Sequence, residues 1–155
     1  MSVPDPQPIQ ISFAIKTCKC TSFMMTDYAK KNKKLIQDDK FNFSLAIRFD
    51  LDSIKNNAII TTISVISNLN DNNEKLAEIN AVTEFNILNF DGVVTKNAHG
   101  QLGLPDQILI SFFSISISNV RGMLSVKLED TIYTNATLPL IDPAQLIPKK
   151  SINVG

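Results

Sequence analysis

A chain of 155 residues with 44% hydrophobic residues and a mean hydropathy of +0.06 has the size of one domain and the apolar content for a core. Only 19% of its residues are charged, below the roughly 25% of ordinary soluble domains, so some apolar surface is expected to be hidden in an oligomer or against a partner. Lysine plus arginine and aspartate plus glutamate stand at 15 each, which leaves no global field to favour nucleic acid.

Pro4, Pro6 and Pro8 mark residues 1–8 as an extended, disordered arm. This start has neither a basic stretch nor an apolar stretch, so a cytoplasmic location is expected. No run of 18 apolar residues suggests membrane insertion. Order is expected from Ile9. Ile9, Ile11, Phe13 and Ile15 alternate with Gln10, Ser12, Ala14 and Lys16, the pattern of an antiparallel strand with one face in a core.

Cys18 and Cys20 follow, two residues apart. Both point to one face about 7 Å apart, a poor start for a disulfide. A lone C-x-C with His99 far away is a weak zinc signal, so two reduced thiols are expected. From Thr21 to Lys40 the period is lost, and this stretch is read as a long connection. Within it Lys30, Lys31, Lys33 and Lys34 read as a solvated cluster, with no aromatic platform beside them for nucleic acid. Phe23, Met24, Met25 and Tyr28 either cover one end of a sheet or form an adaptable apolar surface of the kind promiscuous binders use.

Alternation returns at Phe41, Phe43, Leu45, Ile47, Phe49 and Leu51, the cleanest strand in the chain. Lys55-Asn56-Asn57 is a turn. Ala58 to Leu69 is rich in β-branched residues and predicts a third strand. The Asn70–Asn73 turn leads to a fourth at Leu76 to Leu88, with Ala77, Ile79, Ala81, Phe85 and Ile87 on one face. Short turns between these three make an antiparallel meander. Glu78 and Glu84 are expected on the solvated face.

Asn89 to Gly103 reads as an irregular crossing. The run from Leu104 to Leu124 supports two readings on local pattern. Ile115-Ser-Ile117-Ser alternates like a strand. Pro105 and Asp106 in a first turn, with Ile108, Phe112, Ile115 and Asn119 at helical spacing, fit a helix. Further on, Pro139 and Pro143 forbid a continuous helix or central strand, and Asp142-Pro143-Ala144-Gln145-Leu146-Ile147 fits one turn capped by Asp142.

No catalytic motif accompanies these elements. His99 lies in a Gly-rich loop without a nucleophile beside it, the carboxylates are scattered, and there is no phosphate-binding loop. The sequons at Asn42 and Asn135 are read as chance. A non-enzyme with no cofactor and no metal is expected.

The order of elements from Ile9 to Ile147, with the apolar run, Arg121-Gly122 and Leu138-Pro139-Leu140-Ile141-Asp142-Pro143, resembles the SecB export chaperones and their SecB-like relatives. That resemblance decides the ambiguous run in favour of helix. It implies an α+β fold: a four-stranded antiparallel sheet, a long crossover after the first strand, a long helix on one face burying Ile108, Phe112 and Ile115, and a short C-terminal helical turn. The domain would span 9–148, with 149–155 as a flexible tail.

The implied function is that of a holdase keeping unfolded polypeptide soluble, without nucleotide. Its peptide-binding groove would lie between a crossover wall of Phe23, Met24, Met25 and Tyr28 and a C-terminal wall of Leu140, Leu146 and Ile147. The resemblance also implies a homo-oligomer, a dimer or tetramer, through Ile11 and Phe13 on the first strand and Leu109, Phe113 and Ile117 on the helix.

Export relatives are strongly acidic and carry a longer second helix and tail that help engage the SecA motor. This chain is neutral and ends soon after Ile147, so engagement of a SecA-like motor is left open. The alternatives are a chaperone dedicated to one partner, such as an antitoxin, and a small-ligand-binding or structural domain with a closed pocket.

Overall fold

The computed structural model describes residues 12–26, 41–68 and 74–147. Strand β1 spans Phe13–Met25, β2 Phe41–Asp52, β3 Asn57–Asn68 and β4 Lys75–Ile87. A short helix α1 (Phe90–Val93), a two-stranded ribbon of β5 (Thr95–Lys96) and β6 (Leu102–Gly103), the long helix α2 (Asp106–Leu128) and a 3-10 turn (Pro143–Leu146) are the other elements of the described residues. All four long strands form one antiparallel sheet in the order β1-β4-β3-β2. The architecture is the expected α+β fold, with a meander of β2, β3 and β4 and a crossing after β1.

β2 and β3 pair without interruption from Phe41 opposite Asn68 to Asp52 opposite Asn57. Their hairpin turns through Asn56, whose φ of 55° suits the left-handed region that asparagine tolerates. The register puts Phe43, Leu45, Ile47, Phe49 and Leu51 on the same face as Ile66, Ser64, Thr62, Ile60 and Ala58 of β3, and Ala77, Ile79, Ala81, Thr83 and Phe85 of β4. This face carries the core. Glu78 and Glu84 occupy the opposite face, where Glu84 accepts from Lys16, Thr17 and Asn57.

β1 corrects the sequence reading. It continues to Met25, so Phe23, Met24 and Met25 belong to a strand rather than to a connecting loop. Its register with β4 shifts between Ile15 and Thr17 and again between Cys20 and Ser22. Each bulge inserts a residue and reverses which parity faces the helix. The helix-side residues therefore run Phe13, Ile15, then Cys18, Cys20, then Phe23, Met25. Ile9, Ile11, Tyr28, the lysine cluster, the Asn70–Asn73 turn, the N-terminal arm and the tail lie outside the described residues.

α2 begins one residue after Pro105, whose carbonyl accepts from the amides of Ile108 and Leu109. It runs past Gly122, which is exposed and meets no neighbour that its missing Cβ would touch. α2 has the length and hydropathy of a membrane span, but its apolar side chains pack on the sheet. Two adjacent rows are buried, Ile108-Phe112-Ser116-Val120-Leu124-Leu128 and Leu109-Phe113-Ile117. Leu109, Phe113 and Ile117 were expected at an interface between copies. They lie instead in the chain's own core, because a sheet about 14 Å across from first strand to last is wider than one helical row and takes up two. Ile115, expected in the core, is half-buried at its margin.

Two hydroxyls between α2 and the sheet, Ser64 Oγ on β3 and Ser116 Oγ on α2, are buried without a hydrogen-bond partner. A buried polar group left unpaired costs stability, and serine is a weaker helix former than alanine. Ser116→Ala should therefore stabilise the fold by about 1 kcal/mol, read as a raised urea midpoint at unchanged slope. A lowered midpoint would show that the hydroxyl has a partner in solution.

Candidate functional site

α2 rests on β3 and β4 and touches β1, so β2 lies at the margin of its footprint. The consequence is visible along β2: Phe41, Phe43, Leu45, Ile47, Phe49 and Leu51 all point to the helix side, yet each is only half-buried. Six large apolar side chains in one row thus remain partly open. Alternation alone marks Phe43, Ile47 and Phe49 as an apolar face, and the structure sets that face at the rim of the core.

Beyond α2 the chain returns across the core. Tyr133 is fully buried, donates its hydroxyl to the Thr26 carbonyl at the end of β1 (3.1 Å), and sets its ring edge-on to Phe41. Arg121 then holds the returning segment from α2: Nε donates to the Leu138 carbonyl and Nη2 to that of Pro139, each at 3.0 Å. Asp142 accepts from the Ala144 amide and caps the 3-10 turn, as the Asp-Pro order predicts. Ile141 and Leu146 pack against the cluster that contains Ile79, Leu124 and Leu138. Leu146 and Ile147 reach the second cluster, built on Ile60, Phe85 and Phe112. Phe41, Phe43 and Leu45 border the first cluster, Phe49 and Leu51 the second, and Ile47 both. Leu146 spans both clusters in the same way.

The expected peptide-binding residues divide as follows. Phe23 is half-buried against the first cluster, with the Lys127 ammonium 5.9 Å from its ring centroid. Met25 shares the helix side and is partly exposed. Met24 stands opposite Glu78 on the other face, so it cannot belong to the same wall. Leu146 and Ile147 border the core, whereas Leu140 is 92% exposed and packs on neither cluster. The structure therefore sets Phe23, Leu146 and the β2 residues Phe41, Phe43 and Leu45 against one cluster, with Phe23 on β1 at the opposite edge of the sheet from β2, and leaves Met24 and Leu140 elsewhere. Phe13, expected between copies, is partly exposed and packs edge-on against Phe85 and Phe112. Ile15 on the same face is 51% exposed. Cys18 and Cys20 are free thiols on that face.

Two clefts lie near α2. One of about 600 Å³ at its N-terminus is lined by Thr95, Asn97, Gln101, Leu104, Asp106 and Gln107. The other, shallow and about 450 Å³, lies among Phe13, Ile110, Ser111, Ser114, Ile115 and Pro143. Both are open to solvent. Among the described residues no group of three His, Cys, Asp or Glu side chains is placed to hold a metal ion.

No family model matches the chain, and no curated protein matches it. Among solved structures it is similar to a SecB-like chaperone of Mycobacterium tuberculosis, determined in complex with a ChAD peptide from the HigA1 antitoxin. The two share 11% identity over 83% of this chain and 86% of the other, with a TM-score of 0.42. At that identity and score the likeness carries no functional argument.

Proposed function

We propose that this chain is a SecB-like holdase that binds unfolded polypeptide on the apolar margin between β2 and the C-terminal segment. One observation carries the reading: six large side chains of β2 stand in a row, half-buried, and border the same two core clusters that Leu146 and Ile147 pack against. A row of partly open apolar residues can be covered by several weak contacts along an extended chain, each contributing on the order of 1–2 kcal/mol. The only charged residues on β2 are Arg48, Asp50 and Asp52, and Arg48 and Asp50 pair at 2.9 Å. Binding should therefore change little between about 50 and 500 mM salt, unlike a mode led by lysines.

The test is suppression of aggregation of a heat-unfolded substrate protein. Wild type should protect. Leu146→Ser/Ile147→Ser and Phe43→Ser/Phe49→Ser, each checked for retained secondary structure, should protect several-fold less. Equal protection by all three, or none by wild type, removes the reading. The proposal needs no nucleotide, metal or catalytic group, and covers both a general holdase and one dedicated to a single partner such as an antitoxin.

Self-association belongs to the same proposal. With Leu109, Phe113 and Ile117 inside the core, the apolar surface for a second copy is the exposed end of β1 around Phe13 and Ile15. Light scattering at tens of micromolar should give more than the 17.2 kDa of one chain. A strictly monomeric solution would remove this part and leave the holdase reading intact.

A further inference from the structure

The two outer strands of the sheet differ in a way that bears on how a client would be held. β1 is interrupted by two bulges and carries Lys16 and Lys19. Bulges and lysines are the means by which edge strands discourage further strand pairing. β2 has neither. Its 12 residues pair with β3 in unbroken register, without a proline, glycine, lysine or bulge. Among the described residues nothing pairs with its outer side.

The geometry points to β-strand addition at β2: an extended, uncharged client segment of alternating large apolar and small polar residues pairs with the free edge of β2. This rests on the holdase reading and specifies how that site takes its substrate. The hydrogen-bonding groups of an edge strand are complementary to another extended backbone and to little else. The side-chain chemistry is set by the surface on either side. On the helix side a client's alternate residues would continue the row of Phe43, Ile47 and Phe49 and be shielded by Leu146 and Ile147. On the other side they would meet Asn42, Ser44 and Ala46, which are small and exposed. With Arg48 and Asp50 already paired, the strand's one remaining charge is Asp52 at its end, which accepts from the amides of Ile54 and Lys55.

Strand addition makes a demand that apolar contact alone does not. Only every second amide of an added strand points at its neighbour; the others point away. The probe is a capped synthetic peptide of about ten residues, alternating phenylalanine or valine with serine, long enough to span a strand. Two further versions carry N-methyl groups on either the odd or the even amides. Fluorescence anisotropy with wild-type protein should show binding of the parent peptide. One methylated version should bind more than about tenfold more weakly, and the other within about threefold of the parent. Ala46→Lys, at an exposed position on β2, should weaken binding of the parent peptide and leave the fold intact.

Equal affinity of both methylated versions, together with aggregation suppression by wild type, would overturn strand addition and leave the holdase reading standing. No binding of the parent and no suppression would remove both. If the parent is not bound and Ala46→Lys abolishes self-association, the β2 edge joins copies of this chain and the client inference fails.

Discussion

Phe112→Ala should destabilise the protein by about 3–5 kcal/mol, measured by urea unfolding. Phe112 is fully buried at the point where α2 meets the sheet. Its ring stacks on Phe85 of β4 at 4.1 Å between centroids, nearly parallel, and meets Phe13 of β1 edge-on at 5.0 Å. Truncation would leave a cavity that rigid strands on one side and helical backbone on the other cannot close. It would also remove the surface against which Phe13 rests, at the end of the sheet's more exposed strand. Phe112→Leu keeps much of the volume and should lose only about 1–2 kcal/mol. A loss below about 1 kcal/mol for the alanine variant would mean that α2 does not pack on the sheet as described.

The contrast between β2 and β1 shows which parts of the fold were legible. β2 and β4 each turn one apolar face to the helix side, and in an antiparallel sheet that constraint writes itself as period-2 alternation. Phe41 to Leu51 and Ala77 to Ile87 therefore announced both strand and face. β1 obeys the same physics with two interruptions. Its helix-side residues fall at 13 and 15, then 18 and 20, then 23 and 25, so no single period survives past Lys16. Phe23, Met24 and Met25 looked like a loop for that reason alone.

α2 was ambiguous for a different reason. Ile115-Ser116-Ile117 alternates in sequence, yet Ser116 is buried and Ile115 is at the margin. Helical spacing, not alternation, decided which side chain turned inward. Nor did Gly122 end the helix, because an exposed glycine costs only about 1 kcal/mol and no proline follows before Pro139.

The candidate site was harder to see than the fold. Alternation identifies which face of a strand is apolar, but not whether another element lies over it. Phe43, Ile47 and Phe49 gave the same signal as Ala77, Ile79 and Phe85, and only the placement of α2 over β3 and β4 separates rim from core. The C-terminal wall was partly legible, since Asp142-Pro143 fixes a capped turn locally. Which of its apolar residues turn inward was not: Leu140 faces solvent while Leu146 meets both clusters, a distinction made by Arg121 holding the carbonyls of Leu138 and Pro139.

Tyr133→Ala should cost about 3–5 kcal/mol, comparable to losing a core phenylalanine, although Tyr133 belongs to no helix or strand. Its side chain is fully buried, its ring contacts Phe41 at the start of β2, and its hydroxyl reaches the Thr26 carbonyl at the end of β1. One residue thus ties the chain after α2 to both outer strands. Tyr133→Phe isolates the hydroxyl and should lose about 1 kcal/mol, the net value of a hydrogen bond whose acceptor is partly buried. The alanine variant should also loosen the segment from Thr131 to Ile147, because the Arg121 hydrogen bonds are then the main tie that holds it to α2. Limited proteolysis should show faster cleavage near the exposed Leu140 in Tyr133→Ala than in Tyr133→Phe, and faster still when Arg121→Ala is added. Cleavage at the wild-type rate in the double variant would mean that Ile141, Leu146 and Ile147 hold the segment unaided. In that case the wall beside β2 is fixed by its own apolar contacts rather than by the two polar ties.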